Sequence, residues 1–296
     1  MKLVKNYYLQ YHIKTIITLH YIISIVMKLT IQDKNKISIF EAIFQLLKTA
    51  SSCVQFVFLE DGLKIEGMDK SHVCLFKIKM GAEWFSEYNF ETAQTINVDT
   101  SIFHTILSHV NSDILVLKYD EENNDILNIE LLTQDSNEDT NKKEKEKDKD
   151  KSKKTFDRYF SIPLIDADFE SINIPEMEYD AEFKLECKKI HDLTSQMILF
   201  GNTLNIICSE EGIDLKTTGD SGTMKVNLPI DELSEFSISE GESLDIGFSL
   251  HYIHKMCLTT KLGKEVQFSI SANFPICIDY DLGENSSVVF YVAPKM

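Results

Sequence analysis

Asp69, Ser71 and His72 lie within one short stretch, Met68-Asp69-Lys70-Ser71-His72-Val73, and supply a carboxylate, a hydroxyl and an imidazole, the groups of acid–base and nucleophilic catalysis. On an alternating strand, however, residues three apart point to opposite faces. The sequence also has no phosphate loop, dinucleotide fingerprint or metal-ligand spacing. An enzyme is therefore not expected, and neither is a metal or other cofactor. The six cysteines (Cys53, Cys74, Cys187, Cys208, Cys257 and Cys277) are scattered and form no C-x-x-C pair. They read as small apolar residues of a reduced compartment rather than a disulfide framework or a zinc site.

The elements that must position any site lie in a chain of 296 residues with 30 Lys and Arg against 47 Asp and Glu, a net charge of −17. That length corresponds to about two domains, each able to bury a core. Hydrophobic residues at 43% exclude a wholly disordered chain. No apolar run reaches the roughly 18 residues of a membrane helix, so no membrane partner is expected. Residues 1–26 carry Lys2, Lys5 and Lys14 and no acid, followed by an apolar stretch with no small-residue cleavage site. They read as an extension outside the fold, which would begin near Met27. A second unusual segment, about 134–157, holds eight acids and eight lysines and almost no apolar residue, and reads as a disordered charged insertion.

The remainder is duplicated. Phe56–Leu59, an acidic turn with Gly62, then Leu63–Met68 is matched by Leu204–Cys208, a turn with Gly212, then Ile213–Leu215. Each reads as a hairpin whose glycine supplies a positive φ. Helical spacing precedes each hairpin, at Ile39, Ile43, Leu46 and Leu47 and again at Ile190, Leu193 and Met197. Helical stretches also follow, with Phe103 and Ile253 each 41 residues beyond the hairpin glycine, and each leads into a further strand. The fold class is α+β, with two tandem copies of one unit. The first copy is placed at 27–160, a connector at 161–180 and the second copy at 181–296.

Four segments in register resemble the proliferating cell nuclear antigen family of DNA polymerase sliding clamps: Met68–Leu75, Ile172–Tyr179, Ser269–Pro275 and Tyr291–Lys295. The resemblance spans about residues 27–296 apart from the insertion. It implies a homotrimeric ring around double-stranded DNA, held without regard to sequence, with helices lining a pore and a continuous antiparallel β layer outside. Subunits would join by edge-strand pairing at Asp125–Leu132 and Gly222–Leu228. Partners would be a DNA polymerase, other proteins carrying a PIP-box peptide, and a clamp loader.

Carried over residue by residue, the resemblance gives Lys48 in the first helix and Lys184, Lys188 and Lys189 in the third. The fourth region gives His251, His254, Lys255 and Lys261 as DNA-binding groups. Glu41 and Ala42 stand where the family usually has a lysine pair, and the second helix offers His104 and His109 but no lysine. A weaker, more pH-sensitive DNA contact is therefore expected, since histidine charges only below about pH 6.5. Taken alone, the same residues also suit an ordinary solvated helix face. The partner groove would be walled by Met68, His72, Val73 and Leu75, by Ile172, Ile174 and Pro175 of the connector, and by Pro275, Tyr291, Ala293 and Pro294. Two other assemblies fit the depleted lysines: a monomeric DNA-binding processivity factor, and one subunit of a heteromeric checkpoint-type clamp. Work in DNA replication and repair would place the protein in a nucleus, or at a cytoplasmic viral replication site.

Overall fold

The structure is a computed structural model that describes residues 25–91, 93–108, 112–120, 124–133, 156–169, 172, 178–272 and 274–295. Most of the N-terminal extension, nearly all of the charged insertion, His109, Ile174 and Pro175 lie outside the described residues.

The first copy runs β1 (Ile25–Ile31), α1 (Lys34–Ala50), β2 (Cys53–Leu59), β3 (Gly62–Met68), β4 (Cys74–Gly81), β5 (Glu87–Phe90), β6 (Gln94–Asp99), α2 (Thr100–Leu107), β7 (Ile114–Asp120), β8 (Ile126–Leu132) and β9 (Arg158–Pro163). The second repeats that order: β10 (Ala181–Glu186), α3 (Cys187–Met197), β11 (Thr203–Ser209), β12 (Gly212–Gly219), β13 (Gly222–Pro229), β14 (Glu235–Ile238), β15 (Leu244–Ser249), α4 (Leu250–Met256), β16 (Glu265–Ile270), β17 (Ile276–Gly283) and β18 (Ser286–Val292). The duplication is thus complete, strand for strand.

Local sequence explains each unit. Asp33 caps α1 by accepting from the amides of Asn35 and Lys36, and Asp99 caps α2 through Ile102. Buried residues recur at Ile37, Phe40, Phe44 and Leu47 in α1 and at Cys187, Ile190, Thr194 and Met197 in α3, the same helical stripe displaced by 150 positions. Gly62 (φ +140°) and Gly212 (φ +144°) follow the two hairpin turns. A Cβ on Gly62 would stand 2.0 Å from the Met80 carbonyl oxygen, and one on Gly212 would stand 2.7 Å from that of Leu228. The glycines therefore permit both the backbone angle and the close approach of the next strand.

The strands form three antiparallel sheets, in the orders β5-β1-β7-β8-β9, β14-β10-β16-β17-β18-β4-β3-β2-β6 and β13-β12-β11-β15. The central nine-stranded sheet crosses from one copy to the other where β18 pairs with β4, from Ser287 opposite Lys79 to Val292 opposite Cys74. The four α-helices of the described residues pack on the buried face of the sheets. They form one row, α2 beside α1, α1 beside α4, and α4 beside α3.

Three boundaries differ from the sequence reading. Ile25, placed in the extension, pairs with Asp120 at the start of β1. The segment 161–163, placed in the connector, completes β9. Asp125–Leu132, expected as a free edge, is not one, because β8 has β7 on one side and β9 on the other. Among the described residues the edge on that side of the sheet is β9, the opposite edge being β5. The short run of β9 after the charged insertion has too little apolar alternation to announce a strand. Gly222–Leu228 does lie on a free edge, as part of β13.

Candidate functional site

The helix row turns a polar face away from the sheets. On α1 this face carries Lys34, Ser38, Glu41, Gln45 and Lys48, at helical spacing. On α3 Lys188 and Asp192 are exposed and Lys189 half-buried, and on α4 His251 is exposed and Lys255 half-buried. Lys261 is exposed in the loop after α4. The expected cations thus gather on one surface, with one exception. Lys184 is not on the third helix but on β10. Its strand neighbours Phe183 and Leu185 are buried toward the helices, so Lys184 lies on the opposite face, 2.8 Å from Glu235. The resemblance implied a place on the third helix, but that helix begins only at Cys187.

Several of these cations are already paired. Lys189 meets Glu232 at 2.7 Å, Lys34 meets Asp113 at 2.5 Å, and Lys261 meets Glu41 at 2.7 Å. Lys48 Nζ lies 3.0 Å from His104 Nδ1, and His104 Nε2 lies 3.9 Å from Glu41. Among the lysine candidates this leaves Lys48, Lys188 and Lys255 without a carboxylate partner among the described residues, and His251 likewise, although Lys48 contacts His104 and Lys255 stands 5.9 Å over the Tyr252 ring. His254 sits against α3, its Nδ1 3.2 Å from the Thr194 hydroxyl and its ring 6.4 Å from that of His191. Burial, followed by the nearby His191 and His251, holds His254 below the usual imidazole value. It is a neutral packing group near pH 7 rather than a cation.

Asp69, read as a residue of a strand, lies instead in the turn between β3 and β4. Its buried carboxylate accepts from the amides of Ser71 (3.0 Å), Val73 (2.8 Å) and Cys74 (2.7 Å), and from the Tyr252 hydroxyl of α4 at 2.6 Å. Burial raises its pKa, but these four donors outweigh that and hold it below the usual carboxylate value. The group is an organiser of the turn. His72 stands exposed beside it at φ +57°.

On the outer face, antiparallel pairing aligns Met68, Leu75, Tyr291 and Cys277 in one row across β3, β4, β18 and β17. Val73 joins the row's end, its carbonyl accepting from Ala293 N at 2.9 Å. Pro294 bridges to Phe248 on β15, and Ile172 and Pro275 are half-buried. Three further residues belong here that were not expected in the groove. Cys277 floors the row, Tyr179 interacts with Cys277 and Tyr291, and Phe274 is an exposed aromatic next to Pro275. Burial pushes the Cys277 thiol and the Tyr291 phenol each up to about 12, so both are neutral hydrogen-bonding groups in an apolar wall. Sequence alone marks Cys277 only as one of six scattered apolar cysteines. Its place in the row follows from the β17–β18 register.

The family model of the proliferating cell nuclear antigen N-terminal domain matches residues 31–154, and that of the C-terminal domain matches residues 173–295. The chain belongs to the proliferating cell nuclear antigen family. It is 27% identical over 265 residues to the proliferating cell nuclear antigen of Chaetomium thermophilum, covering 88% of this chain and 95% of that one. It is 26% identical over 267 residues to proliferating cell nuclear antigen 2 of Plasmodium falciparum, covering 87% and 95% respectively. The family's two tandem domains coincide with the two structural copies, and the outer row and the helix row lie on opposite faces of the same α+β sheets.

Proposed function

We propose that the protein is a DNA sliding clamp, a polymerase processivity factor that closes into a ring of three chains around duplex DNA. The observation that carries this reading is the β4–β18 joint. That joint unites the two copies inside one chain, and the counterparts of its two strands, β13 and β9, are left as free sheet edges. An unpaired edge is a template for another strand, and these two strands are the duplicated counterparts of a pair that already joins once. Transferring the internal register places Phe160 of one chain opposite Met224 of the next, as Phe290 lies opposite Phe76. Outward-facing Tyr159 would then lie opposite Lys225, as Val289 lies opposite Lys77. A head-to-tail contact that closes gives a ring, and the helix row would line its inside.

In that ring Lys188, Lys255 and their neighbours meet phosphates, which carry no sequence information and so permit sliding. The outer row from Met68 to Cys277 would receive PIP-box peptides of polymerases and other replication and repair proteins, in a nucleus or at a viral replication site. Loading onto closed DNA would need a clamp loader. Light scattering of the full chain tests the assembly. A mass of three chains is expected, while a monomer at micromolar concentration would overturn the homotrimer in favour of an open factor or a mixed clamp. A chain with both Tyr159→Cys and Lys225→Cys should cross-link into covalent oligomers on mild oxidation.

A further inference from the structure

Glu41 is an acid in the middle of the polar helix face, and it is not idle. One carboxylate oxygen holds Lys261 of the second copy at 2.7 Å and the other faces His104 at 3.9 Å. Glu41 and Lys261 border a cleft of about 450 Å³ between α1, the end of α2 and the loop after α4, lined also by Lys34, Ser38 and Ser112. The Ser112 hydroxyl is buried there with no hydrogen-bond partner among the described residues. Two lysines and an unpartnered hydroxyl are groups that seat a phosphate, yet both lysines are neutralised, Lys34 by Asp113 and Lys261 by Glu41.

The duplication shows that the fold does not require an acid at this position. The residue 150 positions on from Glu41 is His191, and that from His104 is His254, and these two again face each other across the helix pair, at 6.4 Å between rings. We propose that the cleft is a seat for a DNA backbone phosphate and that Glu41 weakens it by competing with the phosphate for Lys261. This rests on the reading of the helix row as the DNA-facing surface. Glu41 thereby sets how firmly the clamp holds DNA while it slides, since every phosphate gripped adds to the barrier between neighbouring positions.

The test is a titration of a short fluorescent duplex with the full chain at several salt concentrations, for the wild type, Glu41→Gln, Lys261→Ala and the double variant. Glu41→Gln should bind about five- to tenfold more tightly at low salt, the yield of one added charge-assisted contact. Its slope of log affinity against log salt should steepen by about 0.9, one phosphate more. Lys261→Ala should change little in the wild type and cancel the gain in Glu41→Gln. Unchanged or weaker binding by Glu41→Gln, or an equal loss from Lys261→Ala in both backgrounds, overturns the proposal. The underlying surface is read separately with Lys188→Ala/Lys255→Ala. If that variant binds like the wild type, it is the DNA-facing assignment that fails. Thermal melting of Glu41→Gln guards against a folding artefact, and a fall in melting temperature together with lost binding also counts against the proposal.

Discussion

The Tyr252 hydroxyl donates to the Asp69 carboxylate at 2.6 Å, joining the β3–β4 turn of the first copy to a helix of the second across 183 positions of chain. This bond lies beside the β4–β18 joint and ties together the helix row and the start of the outer groove.

Asp69→Asn is expected to destabilise the protein by about 1–3 kcal/mol, because an amide cannot accept from all four donors with a charge-assisted bond. The lowered Asp69 pKa contributes stability that is present above the unfolded carboxylate value and is lost as pH falls through the folded one. Urea denaturation across the acid range should show a shallower decline for Asp69→Asn than for the wild type. Tyr252→Phe should cost less, since three amides remain.

His254 titrates in the opposite sense from a DNA-binding cation. Its folded pKa lies below the unfolded value because of burial and the flanking His191 and His251. Stability from this group is therefore full above about pH 6.5 and falls as pH drops and the unfolded state takes up the proton first. The protein should be less stable at about pH 5.5 than at about pH 7.5, and His254→Gln should reduce that difference in urea denaturation. An NMR titration placing the His254 midpoint above the usual imidazole range would contradict the packing seen here.

Met68 is 37% exposed at the head of the outer row, so its replacement costs little folding energy. Met68→Glu should weaken a PIP-box peptide at least tenfold, roughly 1.4 kcal/mol, by placing a charge in an apolar contact. Calorimetric titration of the peptide measures this, and sizing with light scattering should show the oligomer unchanged. Ile174→Asp in the connector is expected to abolish peptide binding, also with the oligomer intact.

Gly62 and Gly222 separate two effects of glycine. Both have positive φ, +140° and +118°, but a Cβ at Gly222 meets nothing within 4 Å, whereas at Gly62 it meets the Met80 carbonyl at 2.0 Å. Gly222→Ala should cost about 1–2 kcal/mol, the left-handed penalty alone. Gly62→Ala should cost at least about 2 kcal/mol more, because a backbone carbonyl must move. Chemical denaturation of the two variants side by side measures the difference.

The repeated unit is legible in local pattern alone. Alternation marked both hairpins, helical spacing marked the helices, and glycine at 62 and 212 marked turns that the structure shows to need it. These are local signals, set by the period of side-chain direction and by the φ angles a residue tolerates. The cations of the helix row came instead from the family resemblance, and Lys184 among them lies on a strand.

The remaining features depend on partners far along the chain. The outer edge proved to be β9 rather than β8, because an edge is defined by which strand lacks a neighbour, not by composition. Asp69 became a turn organiser through Tyr252, Cys277 entered the groove through the β17–β18 register, and Glu41 captured a lysine 220 positions away. His254 lost its expected charge by packing against α3. In each case residue type limited the possible roles, but burial and pairing selected one. Desolvation and hydrogen bonding depend on neighbours that chain folding brings together and that sequence spacing does not encode.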